Sequence, residues 1–269
     1  MKSGFLAIAI LLLPFSMALA QPEGAPSGVK IKPKIRRSRP AAEAERPDTL
    51  LQPDVEVVDA PTSAVLDHMG YSSRTRFFAQ GGLLEYINFG VFPKLNLGAS
   101  FNVDGLVGND TVVRARAPYV QVKYRFYEGD RYIPSFAAGY DGQGFLYSAD
   151  SKRYNQRQRG FYIVGSQELG LAGLQLHPSI NVSDFDTNSV FAALPLTYNI
   201  RDKATVLVEW DNTVGNVNNS RFNAGLRAYI TSYLNVDFAV RSISQGGTYF
   251  DGSNRGPERV VQIKYTGSF

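Results

Sequence analysis

The sequence predicts an all-β protein, a transmembrane antiparallel up-and-down β-barrel of about 12 strands that follows a disordered N-terminal arm. Three observations predict this fold class. Short segments in which apolar and polar residues alternate recur from Tyr71 onward. Their connections are mostly short on one side and longer and more polar on the other. The chain also ends on VVQIKYTGSF (260–269), an alternating stretch that stops at an aromatic residue.

The first residues have the pattern of a secretory signal peptide, which we assign to residues 1–20. Lys2 precedes the apolar run FLAIAILLLPFSMA, and Ala18-Leu19-Ala20 precedes Gln21 as a cleavage site. A retained membrane anchor is the alternative, but the run is shorter than the ~20 residues of a spanning helix. We therefore expect the mature chain to be exported across the inner membrane.

Residues 21–57 are rich in Pro, Ala, Glu and Arg and show no apolar period, so they predict a disordered periplasmic arm. Within this arm, KIKPKIRRSRP (30–40) concentrates positive charge. In an exported protein such a run favours contact with lipopolysaccharide, peptidoglycan or a periplasmic partner and not with nucleic acid. A soluble tether is an equally open interpretation.

Residues 58–70 lie between the arm and the first predicted strand. The stretch VDAPTSAVLDHM (58–69) could enter the barrel and plug it, or it could lie flat beneath the barrel. The sequence leaves these two alternatives open. Residues 71–269 form the predicted barrel.

The predicted strands follow one another at short intervals. We expect them near residues 72–80, 83–92, 94–104, 116–127, 132–146, 160–168, 173–183, 189–200, 203–212, 220–230, 233–243 and 258–269. Tight turns are expected at 92–94, 128–130, 201–203 and 231–232, whereas connections such as 147–159 and 244–257 are longer. The short Gly81-Gly82 connection departs from this pattern. An even strand number with two-sided loops is typical of outer-membrane barrels.

The side-chain phase puts apolar residues on one face and polar residues on the other, as in LNLGASFNVD (95–104). A soluble sandwich would also alternate, with its charges in water and its apolar face inside. In a barrel the charges line the lumen and the apolar face meets lipid. Aromatic residues near strand ends, such as Phe92 and Tyr265 on one side and Phe145 and Trp210 on the other, predict interfacial girdles.

Charged residues on the inner face are the candidate solute contacts. We predict that the following residues line the lumen: Arg74, Arg76, Lys123, Arg125, Glu209, Asp211, Arg221, Arg227, Asp237, Arg241 and Lys264. The alternative is an ion-pair network that fills the barrel. Barrels of about 8 strands are filled and those of 16–18 hold a channel, so this size leaves both outcomes open.

The end of the chain resembles the C-terminal assembly signal of bacterial outer-membrane proteins. Val261, Ile263, Tyr265 and Phe269 carry that resemblance, and Gly267 stands where a large apolar residue is often found. The resemblance implies that the barrel assembly machinery pairs with this last strand.

A wider resemblance covers residues 58–269, through stretches such as PTSAVLDHMGY, FGVFPKLNLGASF and AAGYDGQGF. They are similar to a mostly uncharacterised family of small bacterial outer-membrane barrels, and distantly similar to barrels associated with exopolysaccharide secretion. The resemblance implies the outer membrane of a Gram-negative-type bacterium, in contact with its lipid and lipopolysaccharide.

Catalytic chemistry finds little support in the residues. The chain has no cysteine and two histidines. His177 falls on the inner face, whereas barrel phospholipases carry their serine–histidine site on the lipid-facing side. We expect His177 to be a lumenal hydrogen-bonding residue, and we predict no catalytic residue, no metal site and no cofactor.

The polar, mildly basic inner face favours a narrow channel or an envelope transport component for small polar or anionic molecules, with saccharides as one class. The alternative is a non-conducting structural or exopolysaccharide export and assembly barrel that engages envelope partners. An outer-membrane hydrolase is a more distant alternative.

Overall fold

The structure is a computed structural model that describes residues 53–79, 81–108, 113–148, 150, 152–183, 190–214, 220–243, 245–249 and 252–269. Residues 1–52 lie outside the described residues, and with them the predicted signal peptide, the basic run at 30–40 and most of the predicted arm. In the part that is described, no helix has the length and hydropathy of a membrane span.

The described chain from Gly70 onward is built of short antiparallel strands. Their bounds are β1 (Gly70–Phe78), β2 (Gly82–Phe92), β3 (Leu95–Asp104), β4 (Arg114–Ala115), β5 (Tyr119–Tyr127), β6 (Ser135–Asp141), β7 (Phe145–Ser148), β8 (Arg153–Gln156), β9 (Gly160–Glu168), β10 (Leu174–Leu176), β11 (Ser179–Val182), β12 (Val190–Ile200), β13 (Ala204–Asp211), β14 (Arg221–Tyr229), β15 (Leu234–Arg241) and β16 (Glu258–Ser268).

These strands close into a barrel because the first strand pairs with the last. The β1–β16 register runs from Gly70 opposite Ser268 to Phe77 opposite Val261. Strands β10 and β11 both pair with β9 and β12, so together they form one strand of the barrel. The short strand β4 pairs with β3 ahead of β5, and β7 and β8 pair only with each other. The result is a closed antiparallel barrel of 12 strands, which confirms the predicted fold class.

Two predicted strands differ from the observed ones. The predicted strand 132–146 ends at Asp141, after which the chain turns inward and β7 pairs with β8 in a separate hairpin. Gly144 permits this turn, since a Cβ there would lie 2.6 Å from the ring of Tyr154. The predicted strand 173–183 is interrupted at His177-Pro178, where proline has no N–H to donate to the ladder.

The barrel exposes apolar side chains and buries charged ones, which is the opposite of a soluble protein. Outward side chains such as Val120, Ile180 and Phe238 are 61%, 61% and 56% exposed, whereas the guanidinium groups of Arg227 and Arg241 are fully buried in the interior. Apolar outer walls and a polar interior, with no free sheet edge, are what a bilayer requires of a sheet. The chain is therefore a transmembrane barrel of the outer-membrane type.

Aromatic rings gather where the start of β1 meets the end of β16. The ring of Phe269 lies 5.0 Å from that of Tyr71 and 6.4 Å from that of Phe89, and Tyr265 packs against Tyr233. Phe92, Tyr265 and Trp210 are exposed, but Phe145 is a correction to the predicted girdle. Its ring lies inside the barrel, 4.4 Å from the guanidinium of Arg241.

The last strand presents its apolar residues to the outside. Val261, Ile263 and Tyr265 are exposed on the outer wall, and Phe269 is the most exposed of the four candidate signal residues. Their recognition by an assembly machinery stays a prediction.

The connections define two ends of the barrel. The short-turn end holds the turns that follow β2, β5, β9, β12 and β14. The long-loop end holds the β7–β8 hairpin and the connections that follow β13 and β15. At the short-turn end, Asp130 accepts hydrogen bonds from the N–H groups of Tyr132 and Ile133 at 2.7 and 2.8 Å. These bonds lower the pKa of the Asp130 carboxyl and hold the turn before β6.

Replacing Ile163 by arginine tests the lipid-facing assignment of the outer wall. Ile163 lies in the middle of β9 with its side chain exposed. Arginine near the membrane midplane destabilises a barrel by about 2–4 kcal/mol. We expect a loss of that size in the free energy of unfolding of Ile163→Arg, measured by urea titration in lipid vesicles.

Val214→Arg is the matched control, because exposed Val214 lies in the connection after β13 and not in the wall. We expect it to change the free energy of unfolding by less than about 0.5 kcal/mol. If Ile163→Arg were as stable as the wild type, this face of the barrel would not meet lipid.

Candidate functional site

The lumen is occupied by a segment of the chain ahead of β1, residues 53–66, which we call the plug. Its polar contacts reach side chains of β1, β3, β5, β9, β13, β14 and β15, which surround it. Val57 and Ala60 are fully buried. Residues 53–57 differ from the sequence interpretation, which placed them in the disordered arm, because their acidic groups pair with lumenal arginines.

Glu209 of β13 holds the turn of the plug. Its Oε2 accepts hydrogen bonds from three successive N–H groups, those of Val58, Asp59 and Ala60, at 3.2, 2.9 and 2.8 Å. Its other oxygen accepts from Asn223 at 2.8 Å, and the side chain is fully buried. Three consecutive N–H groups converge on one oxygen, so Glu209 satisfies backbone donors of the plug that burial would otherwise leave without partners.

Asp59 of the plug bridges two arginines of the wall. Its Oδ1 lies 2.7 Å from Nη1 of Arg76, and its Oδ2 lies 2.6 Å from Nε of Arg241. Arg76 also donates to the carbonyl oxygen of Val58 at 2.5 Å, and Arg241 donates to Glu258 at 2.8 Å. One plug carboxylate therefore supplies counter-charge to β1 and β15 together.

Arg227 of β14 joins the plug to a wall carboxylate. Its Nε and Nη2 each lie 2.7 Å from Asp237, in a bidentate pair. Its Nη1 lies 2.5 Å from Asp54 of the plug, whose second oxygen accepts from the hydroxyl of Tyr229 at 2.8 Å. Arg74 of β1 forms an ion pair with Glu56, so each acidic residue from 54 to 59 has a basic partner.

The opposite wall binds the plug through neutral groups and one lysine. Lys123 of β5 donates to the carbonyl oxygens of Val55 and Ala64 at 2.6 and 3.3 Å. Asn96 of β3 accepts from the N–H of Leu66 at 3.2 Å. Ser63 bonds to Ser166 of β9 through its N–H, and its hydroxyl lies 2.6 Å from that of Ser135 in β6.

A small apolar socket accompanies these polar contacts. Val57 and Val58 pack in one buried cluster with inward side chains of the wall, namely Phe78, Leu84, Tyr86, Leu207, Ala239 and Val260. Apolar residues at lumenal positions have no reason to face water, so the socket exists to receive the plug.

Cavities remain at both ends of the plug. The outer cavity, of 330 Å³, lies toward the long-loop end between the plug and the β7–β8 hairpin, and is lined by Glu56 and Asp59 together with Arg74 and Arg76. The inner cavity, of 410 Å³, lies toward the short-turn end and is lined by Asp54 and Ser63 among others. The plug therefore lies between two polar cavities, which we call vestibules, and a smaller cavity of 60 Å³ lies beside it.

Two arginines of the outer cavity converge on one carboxylate. Arg159, just ahead of β9, donates twice to Asp211 at 3.3 Å, and Arg221 forms an ion pair with the same residue. Burial disfavours the charge of Arg159, but the attraction of Asp211 outweighs it and raises the pKa of Arg159 above its ordinary value. Asp211 stays fully buried.

His177 is a buried hydrogen-bonding residue that borders the inner cavity. Its ring nitrogens lie 2.8 Å from the hydroxyl of Ser166 and 3.1 Å from that of Thr197. Within the described ranges no carboxylate bonds to this ring. Across the same residues, no group of three or more histidine, aspartate and glutamate side chains could hold a metal ion.

The eleven residues predicted to line the lumen all lie in the barrel interior or at its rim. Eight are buried: Arg74, Arg76, Glu209, Asp211, Arg227, Asp237, Arg241 and Lys264. Three are half-buried: Lys123, Arg125 and Arg221. Seven contact the plug: Arg74, Arg76, Lys123, Glu209, Arg227, Arg241 and, 4.0 Å from Asp54, Lys264. Contact of any of them with a solute stays a prediction.

Sequence reasoning missed the plug acids Asp54, Glu56 and Asp59 as partners of the basic lumen. A signal was present, because DVEVVD (54–59) is an acidic stretch beside a barrel with a basic inner face. The neutral contacts through Ser63 and Asn96 carry no such charge signal and could only be found in the structure.

Comparisons with known proteins concern solved structures alone, since no protein-family model and no curated protein matches the chain. The KdgM porin is 14% identical with a TM-score of 0.45 over 74% of this chain and 99% of that one. The same porin in complex with disordered oligogalacturonate is 12% identical, with a TM-score of 0.46 over 74% of this chain and 99% of that one. A triple mutant of the Rh. blastica porin is 10% identical, with a TM-score of 0.35 over 69% of this chain. The chain spans 55% of that porin's length.

Removing Glu209 is expected to loosen the plug. In Glu209→Leu the three N–H groups of residues 58–60 lose their acceptor, at about 1–3 kcal/mol for each group left unsatisfied. Because the chain has no cysteine, Val57→Cys provides a single thiol in the buried plug. We expect maleimide to label it at least about tenfold faster when Glu209 is replaced.

Glu85→Leu is the control for this labelling experiment. Glu85 also accepts two hydrogen bonds, from Ser73 and Thr75, but these residues are part of the wall and not of the plug. Its labelling rate should equal that of the Val57→Cys parent. If Glu209→Leu left the rate unchanged as well, Glu209 would not anchor the plug.

Proposed function

We propose that this protein is an outer-membrane transport barrel that its own plug closes, and that it passes small polar or anionic molecules, acidic saccharides among them, when the plug withdraws. The barrel belongs in the outer membrane of a Gram-negative-type bacterium, to which the N-terminal signal peptide directs it before cleavage after Ala20. There its outer wall contacts lipid and lipopolysaccharide, and its last strand engages the barrel assembly machinery.

The observation that carries this proposal is the way in which the plug is held. The plug is bound mainly by ion pairs and by hydrogen bonds to wall side chains, with a small apolar socket at residues 57 and 58. The plug is joined to the wall by the backbone at Gly70, and since the chain has no cysteine no disulfide cross-links it elsewhere. Each of these contacts can therefore be exchanged for water or for a charged ligand. Vestibules at both of its ends would become one passage if it moved.

The charge of the passage supports an anionic solute. With the plug withdrawn, Arg74, Arg76, Arg227 and Lys123 would lose their plug partners and face the open lumen. Rings of basic side chains favour anions in pores.

A non-conducting role in export or assembly is the second candidate. It is favoured by the same plug contacts, because a segment with this many buried partners could remain in place permanently. Residues 1–52 precede the plug in the chain. In this candidate that arm, with its basic run at 30–40, binds a periplasmic partner or peptidoglycan while the barrel anchors it.

A reversible lock of the plug tests the channel. The hydroxyl oxygens of Ser63 and Ser135 are 2.6 Å apart, so Ser63→Cys with Ser135→Cys places two thiols in reach of a disulfide in a chain without other cysteines. In the Glu209→Leu background we expect frequent anion-selective openings in a planar bilayer. Oxidation of the cysteine pair should abolish these openings, and reduction should restore them.

The single variant Ser63→Cys in the same background should conduct regardless of redox state. A folded barrel whose Val57→Cys plug residue labels rapidly but that never conducts would contradict the channel and leave the second candidate.

Deletion of residues 21–52 tests the second candidate. The deletion stops before Pro53 because the plug begins there and must stay intact. If the arm engages export partners, secreted polysaccharide should fall to background while the amount of folded barrel in the outer membrane stays constant. A shuffled 21–52 sequence of identical composition controls for mere length, and undiminished secretion by the deletion would exclude assembly through the arm.

A further inference from the structure

We infer that the outer cavity is a binding site for an oligosaccharide that carries several carboxylates, and that this ligand competes with the plug's own carboxylates for the same arginines. The inference deepens the proposed transport function and rests on it, since it names the ligand class and the event that would release the plug.

The plug already shows how a carboxylate binds at this place. Glu56 and Asp59 line the outer cavity, and so do their partners Arg74 and Arg76. The two oxygens of Asp59 bind Nη1 of Arg76 and Nε of Arg241. A ligand carboxylate that enters from the cavity would bind in the same arrangement. The plug therefore acts as a tethered competitor.

Competition of this kind preserves the charge balance of the lumen. Arg241 is fully buried, and a buried guanidinium without a carboxylate is strongly destabilising. Withdrawal of the plug into water would take Asp59 away from Arg241, which keeps Glu258, and away from Arg76, for which the described residues show no other ion-paired carboxylate. A ligand that brings its own carboxylates replaces Asp59 and Glu56 one for one, so the plug can leave without that penalty.

The outer cavity offers further positive charge for such a ligand. Seven arginines and four carboxylates line it. Arg159 and Arg221 share the single carboxylate of Asp211, and the Nε of Arg221 is buried without a hydrogen-bond partner in the described structure. A second carboxylate of the ligand can bind at these two arginines.

The remaining lining suits sugar rings. Phe145, Tyr154 and Tyr249 supply flat apolar faces, and Gln156 supplies an amide that already bonds to Arg221 and Arg241. A volume of 330 Å³ lies within the roughly 300–1,000 Å³ of small-molecule sites, and its lining is more polar than is usual for such sites, as suits a charged sugar. Small inorganic anions would leave the aromatic faces unused.

Calorimetric titration of the full detergent-solubilised chain tests the site with a tri-uronate, and with maltotriose as its uncharged counterpart. We expect the tri-uronate to bind and maltotriose to bind at least about tenfold more weakly, since each charged hydrogen bond contributes a factor of this order. Equal binding of the two sugars would overturn the assignment of the ligand class.

Two substitutions should change the affinity in opposite directions. Asp59→Asn removes the competitor from Arg76 and Arg241, so the tri-uronate should bind about tenfold tighter, whereas Arg221→Gln should weaken it about tenfold. Asp104→Asn is the control, because the Asp104–Arg116 ion pair lies outside the cavity, and it should leave the affinity unchanged. A residue with only a structural role would not improve binding when it is removed.

If Asp59→Asn does not fold, Glu56→Gln removes the competitor of Arg74 and should also tighten binding. Affinity that is unchanged or lower in the folded acid-to-amide variant overturns the competition. The tri-uronate should also speed maleimide labelling of Val57→Cys, and maltotriose should not. These measurements need no current, so their failure is distinct from failure of the channel in the bilayer.

Discussion

Buried arginines that need counter-charge are the constraint on which the rest of the structure depends. A guanidinium inside a protein is tolerated only when a carboxylate and hydrogen-bond acceptors meet it. The wall supplies some of these, as Asp237 does for Arg227 and Glu258 does for Arg241. The rest come from the plug, through Asp59 and Asp54. Barrel and plug are therefore parts of one electrostatic unit, and neither is complete without the other.

The size of the barrel explains why a segment of backbone, and not side chains alone, fills the lumen. Eight strands enclose a space that side chains can fill, and 16–18 leave a wide channel. At 12 strands the interior accommodates one extended segment, and its backbone N–H and C=O groups then need partners. Glu209 and Lys123 supply them from facing walls, one as acceptor and the other as donor. The outcome is a lumen whose middle is occupied by the plug, with larger cavities toward both ends.

The proposed transport function depends on how readily these contacts can be replaced. Ion pairs in a polar lumen can be exchanged for those of an anionic ligand, whereas a dry apolar core could not be. The apolar socket packs against Val57 and Val58, and the surrounding ion pairs hold the plug beside the outer cavity. Phe145 limits the cavity from the long-loop side, with its ring against Arg76 and Arg241.

Sequence patterning was most reliable where one physical rule acts alone. Period-two alternation predicted the strands, because one face of each strand meets lipid and the other meets the polar lumen, so apolar and polar residues must alternate along it. It was wrong at 132–146, where the chain leaves the wall after Asp141 and Phe145 begins a separate hairpin, and it took 173–183 as unbroken although Pro178 interrupts the ladder. The residues of a short strand do not show whether it pairs within the wall or in a hairpin beside it.

The amino-acid sequence by itself determined the closed sheet, its strand number, the outward apolar face and the basic interior, since these depend on the order of residue types along each strand. Only the tertiary structure decided that residues 53–66 fill the lumen, which arginine meets which plug carboxylate, and why Leu84 and Leu207 point inward. Those features join residues some 150 positions apart, as Glu209 and the N–H of Ala60 are. Such pairings depend on how the closed barrel brings distant strands around one axis, and no local period records that.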